Sequence, residues 1–304
     1  VFSSLIMWLY VPKLLIKVHL CYADIKKHIK PIFNLFIPQL ASQVYVLLDK
    51  TMLGYLSNIS QVGFYTQAER IVRSILELTS ALGVVMLPRM SHIHSLGQTD
   101  QMKIYLNKSL KAVSYIAIPM SAGVIAVTPQ FVSWFLGPGY DAVEPLMMLI
   151  SSILIFISLS SVLGVQYLLP SNRIKEFTLS IVSGALVNLI LNLLLIPRLA
   201  ALGAVIGTIS AELTVMSIQL YFLRSEINLK EYAYSVLKYS IASLAMFIVV
   251  YFIGEKMNAH FYTNIIQVFA GIIVYLSLLS LLKDEIHTFL IELIQKLIFK
   301  LKKS

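Results

Sequence analysis

Six charged side chains interrupt two neighbouring apolar stretches and are the residues of this sequence best able to do chemistry. They are Asp49, Lys50, Glu69, Arg70, Arg73 and Glu77. A charge in apolar surroundings costs free energy unless it is paired or serves a ligand. Because a guanidinium group binds phosphate through two parallel hydrogen bonds, the bases in this group suit an anionic ligand.

The spacing of the second stretch, TQAERIVRSILEL, predicts how its charges are arranged on a helix. Glu69, Arg73 and Glu77 recur at every fourth position and share a face, and Arg70 lies on the flank of that face. One interpretation is that Lys50, Arg70 and Arg73 meet an anionic substrate in a wet cavity. The other is that Glu69 and Glu77 neutralise Arg73 within a helix bundle.

Two carboxylates are candidates for carrying a coupling ion. Asp49 stands next to Lys50, and Glu212 lies deep in the apolar stretch IGTISAELTVM. A partly desolvated carboxylate can exchange a proton or a cation when a transporter changes state. For Asp49 the alternative is a structural role near the end of its helix.

A later pair of stretches carries small and amide side chains at helical spacing. The first stretch contains, at steps of four, Ser180, Gly184, Asn188 and Asn192, and the next repeats Gly and Ala at nearly the same spacing. Small residues let helices approach closely and asparagine can hydrogen-bond across them, so we expect the two stretches to pack together. A contact of Asn188 and Asn192 with a substrate sugar is the alternative.

Prolines within apolar stretches predict kinks, and Pro38 and Pro119 are the candidates for hinges. The histidines predict no metal site, because His92 and His94 lie among bases in SHIHSLG, where we expect a solvated pair. The sequence contains neither C-x-x-C nor H-E-x-x-H, and its one cysteine, Cys21, allows no internal disulfide. We therefore expect no metal and no cofactor.

Membrane-spanning helices must position these residues. Of the 304 residues 58% are hydrophobic and 13% are charged, and the mean hydropathy is +0.81, which leaves too few polar side chains to cover a water-facing surface. Eight apolar stretches can each cross a bilayer core of about 30 Å, so we predict an all-α polytopic membrane protein. Their approximate spans are 31–56, 62–90, 109–136, 143–169, 174–196, 201–223, 233–254 and 261–282.

The two ends of the sequence differ from these spans. Residues 1–16 predict the end of a truncated transmembrane helix, and residues 17–30 predict a cytoplasmic basic linker. In residues 284–304, apolar side chains recur at steps of three and four between lysines. This pattern predicts an amphipathic helix on the cytoplasmic leaflet, beside anionic lipids.

The bases predict the orientation of the chain. Suppose that the helix end over residues 1–16 faces the cytoplasm. The cytoplasmic loops between the predicted spans then hold 19 of the 24 Lys and Arg residues, and the opposite loops hold two. This asymmetry follows the positive-inside rule. The net charge of +9 is therefore interpreted as membrane orientation, and no nucleic-acid partner is expected.

Two segments resemble a known family. They are LLDKTMLGYLSNISQVGFYTQAERIV, followed by LGVVMLPRMSHI, and then NLILNLLLIPRLAALGAVIGTISAEL. Their order and spacing resemble the C-terminal lobe of polysaccharide biosynthesis flippases, the Wzx-like branch of the multidrug/oligosaccharidyl-lipid/polysaccharide exporter superfamily. The resemblance implies two lobes around a cavity that opens to either side of the membrane in turn. Residues 31–223 would form a six-helix C-terminal lobe and residues 233–282 two additional transmembrane helices, without the N-terminal lobe.

The resemblance also implies a function. The chain would be a transporter of the bacterial plasma membrane that moves an undecaprenyl-pyrophosphate-linked oligosaccharide to the outer leaflet for capsule or exopolysaccharide synthesis, alongside the polysaccharide polymerase machinery. Its headgroup would meet Lys50, Arg70 and Arg73, in a site shaped by the neighbouring carboxylates. The alternatives are a multidrug or cation antiporter of the same superfamily and a lipid II-type flippase. An enzyme such as a glycosyl polymerase would need large outer loops, and those expected here are a few residues long.

Overall fold

The computed structural model describes residues 46–301 and, before them, residues 29, 32, 33, 36, 40 and 43. The predicted helix end over 1–16 and the hinge candidate Pro38 lie outside the described residues, as does the linker over 17–30 apart from Ile29. Every regular element in the described part is a helix, which confirms the predicted all-α class. Nine helices can be numbered there in chain order.

The bounds of the helices from residue 143 onward follow the predicted spans closely, and the predicted span 31–56 is described continuously only over 46–56. The helices are α1 over 46–56, α2 Ile59–Ser95, α3 Thr99–Phe135, α4 Val143–Leu168, α5 Ile174–Leu199, α6 Ala201–Leu223, α7 Leu229–Lys256, α8 Phe261–Leu281 and α9 Glu285–Leu301. Within the described residues, the six helices from α3 to α8 are long and apolar enough to cross a membrane. Helix α2 is as long as α3, at 37 residues, but its interior charges set it apart from those six.

Helices α2 and α3 extend furthest beyond their predicted spans. Helix α2 begins where the Asn58 side chain accepts a hydrogen bond from the Gln61 N–H at 3.0 Å, and it continues to Ser95. Helix α3 begins at Thr99, ten residues before its predicted span. Apolar composition indicates the part of a helix that lies in the bilayer, whereas backbone hydrogen bonding continues into the polar residues beyond.

Helix α4 contains a π-helical segment, Ser161–Leu168, that the sequence analysis did not predict. Helix α3 runs without a break through Pro119 and Pro129. A proline in a helix interior removes one backbone hydrogen bond, which weakens the helix locally. The role of Pro119 as a hinge stays a prediction.

Helices α5 and α6 form a tight hairpin. They are joined by the single residue Ala200, whose φ of 50° and ψ of −127° are rarely adopted by residues with a side chain. A Cβ atom built on Gly203 would lie 2.6 Å from the Leu195 carbonyl carbon, so the backbones touch at this point. The structure therefore confirms the prediction that the two small-residue stretches pack together.

Helices α7 and α8 pack against each other and both contact α3. Their shared core includes Tyr115, Tyr239 and Tyr275. At the start of α9, Asp284 accepts hydrogen bonds from the backbone N–H groups of Ile286 and His287, which fixes the first turn of α9 to the end of α8. This arrangement attaches the two additional helices and the amphipathic helix to one side of the lobe.

Candidate functional site

The buried carboxylate of Glu69 joins two of the predicted bases. Its Oε2 lies 3.0 Å from Lys50 Nζ, and its Oε1 accepts a hydrogen bond of 2.8 Å from Arg73 Nε. The Glu69 side chain is 3% exposed, whereas those of Lys50 and Arg73 are 34% and 32% exposed. One acid therefore faces two bases where helices α1 and α2 meet.

Arg70 and Glu77, the other two charges that the sequence analysis singled out on α2, lie on a different part of the helix surface. Arg70 and Glu77 are exposed and make no ion pair within the described part of the chain. Ser74 lies between them on the same face. We call Arg70, Ser74 and Glu77 the polar face of α2. Glu69 pairs with Arg73, as the neutralising interpretation has it, but Glu77 does not share in that pair.

An apolar groove adjoins this polar face. It has a volume of about 920 Å³ and lies between α2, α3, α7 and α8. Its lining includes Ile71, Met120, Val124, Met246, Phe269 and Tyr275. Helix α2 contributes Ile71, Ile75 and Leu78, each next in sequence to a residue of the polar face. The same helix thus presents polar and apolar surfaces side by side along its length.

A second polar cluster surrounds Asp49, which is 1% exposed. Its Oδ2 accepts hydrogen bonds from the Tyr65 hydroxyl at 3.0 Å and from Thr208 Oγ1 at 2.9 Å. Its Oδ1 accepts one from Asn192 Nδ2 at 2.6 Å, and the same amide donates to Asn188 Oδ1 at 3.1 Å. We call these five residues the Asp49 cluster. It joins α1, α2, α5 and α6.

The Asp49 cluster is rich in oxygen atoms. Asn192 Oδ1 is buried and has no hydrogen-bond partner within the described chain. A Cβ atom on Gly207 would overlap the Asn192 side chain, so the lack of a side chain at this position leaves room beside that oxygen. Carboxylate, amide and hydroxyl oxygens are the ligands that hard cations prefer, and a buried carboxylate can also bind a proton. The cluster can therefore hold a small cation or a proton.

Two residues of this cluster, Tyr65 and Thr208, were missed by the sequence analysis. Each stands one helical turn before a residue that was singled out: Tyr65 before Glu69, and Thr208 before Glu212. Continuing the polar stripe by one turn would have found both. Asn188 and Asn192 were singled out, and the structure places them in the cluster, where they are buried.

The remaining candidates lie elsewhere. Glu212 is 5% exposed in the interior of α6, one turn beyond Thr208. Pro119 lines the apolar groove. The structure thus brings Lys50, Glu69 and Arg73 together around one carboxylate and leaves Arg70 and Glu77 on the neighbouring exposed face.

Comparison with known proteins identifies relatives of this chain. Residues 1–145 match the family described as polysaccharide biosynthesis protein. A putative O-antigen transporter of Escherichia coli K12 is 29% identical over 209 residues, which cover 69% of this chain and 50% of that protein. A probable low-salt glycan biosynthesis flippase of Haloferax volcanii is 21% identical over 251 residues, covering 81% and 52%. The chain spans about half the length of these curated relatives.

Two solved structures share the fold. A lipid II flippase, MurJ, in an inward closed conformation superposes with a TM-score of 0.75 at 19% identity, over 92% of this chain and 60% of that one. An outward-facing multidrug resistance transporter of the MATE family superposes with a TM-score of 0.55 at 15% identity, over 82% and 63%. Together these matches confirm the resemblance to polysaccharide biosynthesis flippases and the multi-pass membrane fold.

Proposed function

We propose that this chain, a relative of the polysaccharide biosynthesis flippases, moves a lipid-linked oligosaccharide across the bacterial plasma membrane by alternating access. The observation that carries the proposal is the pairing of surfaces on α2, where the polar face of Arg70, Ser74 and Glu77 adjoins the apolar groove. A lipid with a charged, hydroxylated headgroup needs both surfaces, because the headgroup cannot enter hydrocarbon unassisted. The names of the relatives support the same cargo.

The headgroup site consists, in this proposal, of Lys50, Arg70 and Arg73 with Glu69 and Glu77 beside them. Glu69 is shared between Lys50 and Arg73, and Arg70 has no acidic partner in the described chain. The exposed guanidinium group of Arg70 is therefore the group that attracts a pyrophosphate. The apolar groove then accommodates part of the lipid chain next to the same helix.

The Asp49 cluster is the proposed site of a coupling ion. Its oxygen atoms come from helices α1, α2, α5 and α6, so binding of a sodium ion or a proton there changes how four helices attract one another. Glu212, one turn from Thr208, is the second candidate carrier. In this proposal Asn192, which donates to Asp49, and Asn188, which accepts from Asn192, shape the ion site and do not contact the sugar.

The wider setting is also proposed. Residues 31–223 form the six-helix lobe, residues 233–282 the two additional helices, and residues 284–304 a cytoplasmic amphipathic tail. Beyond the first turn of helix α9, Ile291, Glu292 and Lys296 are exposed. Its lysines then face anionic lipids of the inner leaflet. The transported lipid is used by the polysaccharide polymerase machinery on the outer side.

Neutralising the arginines of α2 tests this function. In the protein with its full natural sequence, Arg70→Gln combined with Arg73→Gln should lower polymer export by about a hundredfold, because two charge-assisted hydrogen bonds to the headgroup are lost. Export is measured as surface polysaccharide, and insertion as the amount of protein in the membrane fraction. Arg70→Gln alone is the sharper variant, since it breaks no described ion pair.

Arg224→Gln is the matched control. Arg224 stacks on the ring of Tyr221 at the end of α6, 4.4 Å from its centroid, away from the headgroup site. This variant should export polymer normally. Normal export by the double variant of Arg70 and Arg73 would contradict the proposed role of α2.

A further inference from the structure

A smaller pocket lies at the start of α2, separate from the apolar groove. It is a shallow depression, open to one side, with a volume of about 450 Å³. Its lining comes from α2 and from the α3–α4 loop and consists of Ile59, Val62, Gly63, Thr66, Gln67 and Tyr140. None of these residues is charged. Because Gln67 and Arg70 are three positions apart on one helix, the pocket opens next to the headgroup site.

Three polar side chains of this pocket have hydrogen-bonding groups that no described residue engages. The Thr66 hydroxyl, the Gln67 amide and the Tyr140 hydroxyl make no hydrogen bond within the part of the chain that the structure describes. Together they offer two hydroxyl groups and an amide, which donate and accept in several directions. The pocket therefore presents hydrogen-bonding capacity without charge.

Tyr140 lies in the α3–α4 loop, and contacts from α2 and from the loop itself restrain it. Phe64 contacts it edge to face, with 6.1 Å between the ring centroids. The Tyr140 carbonyl accepts a hydrogen bond of 2.8 Å from the Val143 N–H at the start of α4. Gly137 and Gly139, with φ of 80° and 90°, supply the turns that residues with a side chain rarely adopt. These contacts limit the positions that the Tyr140 ring can take.

Gly63 gives the pocket its space. A Cβ atom built on Gly63 would meet no atom within 4 Å, so a side chain there would enter the pocket and leave the protein interior unchanged.

We infer that this pocket binds a neutral sugar ring of the transported lipid, an inference that rests on the proposed function. A sugar carries hydroxyl groups that match the side chains of Thr66, Gln67 and Tyr140, and an aromatic ring offers an apolar face for its C–H groups. The uncharged lining suits a neutral ring, and the adjacent Arg70 meets the phosphate to which the first sugar is attached. The pocket would then contribute to the choice of oligosaccharide.

Binding of two lipids by the protein with its full natural sequence tests this inference. The probes are undecaprenyl pyrophosphate and the lipid-linked oligosaccharide extracted from cells in which polymerisation is blocked. Gly63→Leu should weaken binding of the oligosaccharide lipid by about tenfold or more, because the new side chain fills the pocket, and should leave binding of undecaprenyl pyrophosphate unchanged. Tyr140→Ala, on an exposed loop, should act in the same direction.

Ser91→Leu is the matched control, because Ser91 is exposed near the other end of α2 and does not line the pocket. It should bind both lipids as the wild type does. Wild-type affinity of Gly63→Leu and Tyr140→Ala for the oligosaccharide lipid overturns the inference, and so does equal weakening for the two lipids. A wild-type protein that binds neither lipid refutes the proposed function itself.

Discussion

At the scale of single residues, the environment of a charge matters more than its presence in an apolar stretch. Asp49 and Glu69 were both singled out from the sequence, and both are buried, yet their neighbours differ. Glu69 faces Lys50 and Arg73, whereas Asp49 faces hydroxyl and amide groups with no base among its hydrogen-bond partners. A carboxylate held by neutral groups can accept a cation without first releasing another one, which is why Asp49 is assigned to the coupling ion.

Replacing Asp49 tests that assignment. Asp49→Asn preserves the shape of the side chain and removes its charge, so transport by the full natural sequence in proteoliposomes should slow and should cease to depend on a sodium or proton gradient. Glu255→Gln, at the exposed end of α7, is the control and should keep the gradient dependence of the wild type. If collapsing both gradients leaves wild-type transport unchanged, Asp49 and Glu212 carry no coupling ion.

At the scale of elements, the hairpin of α5 and α6 depends on the absence of side chains. Gly203 faces the backbone of Leu195, which cannot rotate away as a side chain could. Gly184 and Gly207 occupy equally close positions against α6 and α5. This close approach brings Asn188 and Asn192 within reach of Thr208 and Asp49, so helix packing and the Asp49 cluster depend on each other.

Gly203→Ala should destabilise the protein by about 1–3 kcal/mol, because the added methyl group forces the two helices apart. Gly63→Ala is the matched substitution in open space, and it should be neutral or stabilise by up to about 1 kcal/mol through better helix propensity. Thermal unfolding of the purified variants in detergent measures both. Equal melting temperatures for the two variants would show that the hairpin tolerates separation.

At the scale of the whole molecule, the arrangement of helices separates apolar surfaces that face lipid from polar surfaces that need water. The outward side of α5 exposes Leu186, Leu193 and Leu194, as a lipid-facing helix does, whereas α2 exposes charged groups. Such a polar surface at membrane depth requires water or a polar partner. The proposed orientation places the chain terminus at Ser304 and the basic loops in the cytoplasm.

Labelling with a membrane-impermeant maleimide tests this orientation in a background in which Cys21, the one cysteine of the sequence, is replaced by serine. On intact spheroplasts, Asn258→Cys in the α7–α8 loop should react, and Ser304→Cys should react only after lysis. The reverse pattern would contradict the proposed topology. Equal amounts of both variants in the membrane fraction serve as the control for insertion.

Sequence alone determined the helical class, the positions of the six membrane-spanning helices from α3 to α8 and the resemblance to flippases, because these depend on apolar content and on local order along the chain. It also found the charged residues of α2 and the amides of α5. Only the tertiary structure decided their partners: Glu69 between two bases, Arg70 and Glu77 on the exposed face, and Tyr65 and Thr208 at Asp49. Asp49 and Thr208 are 159 positions apart in the chain, and such contacts arise from the packing of helices, which local periodicity does not encode.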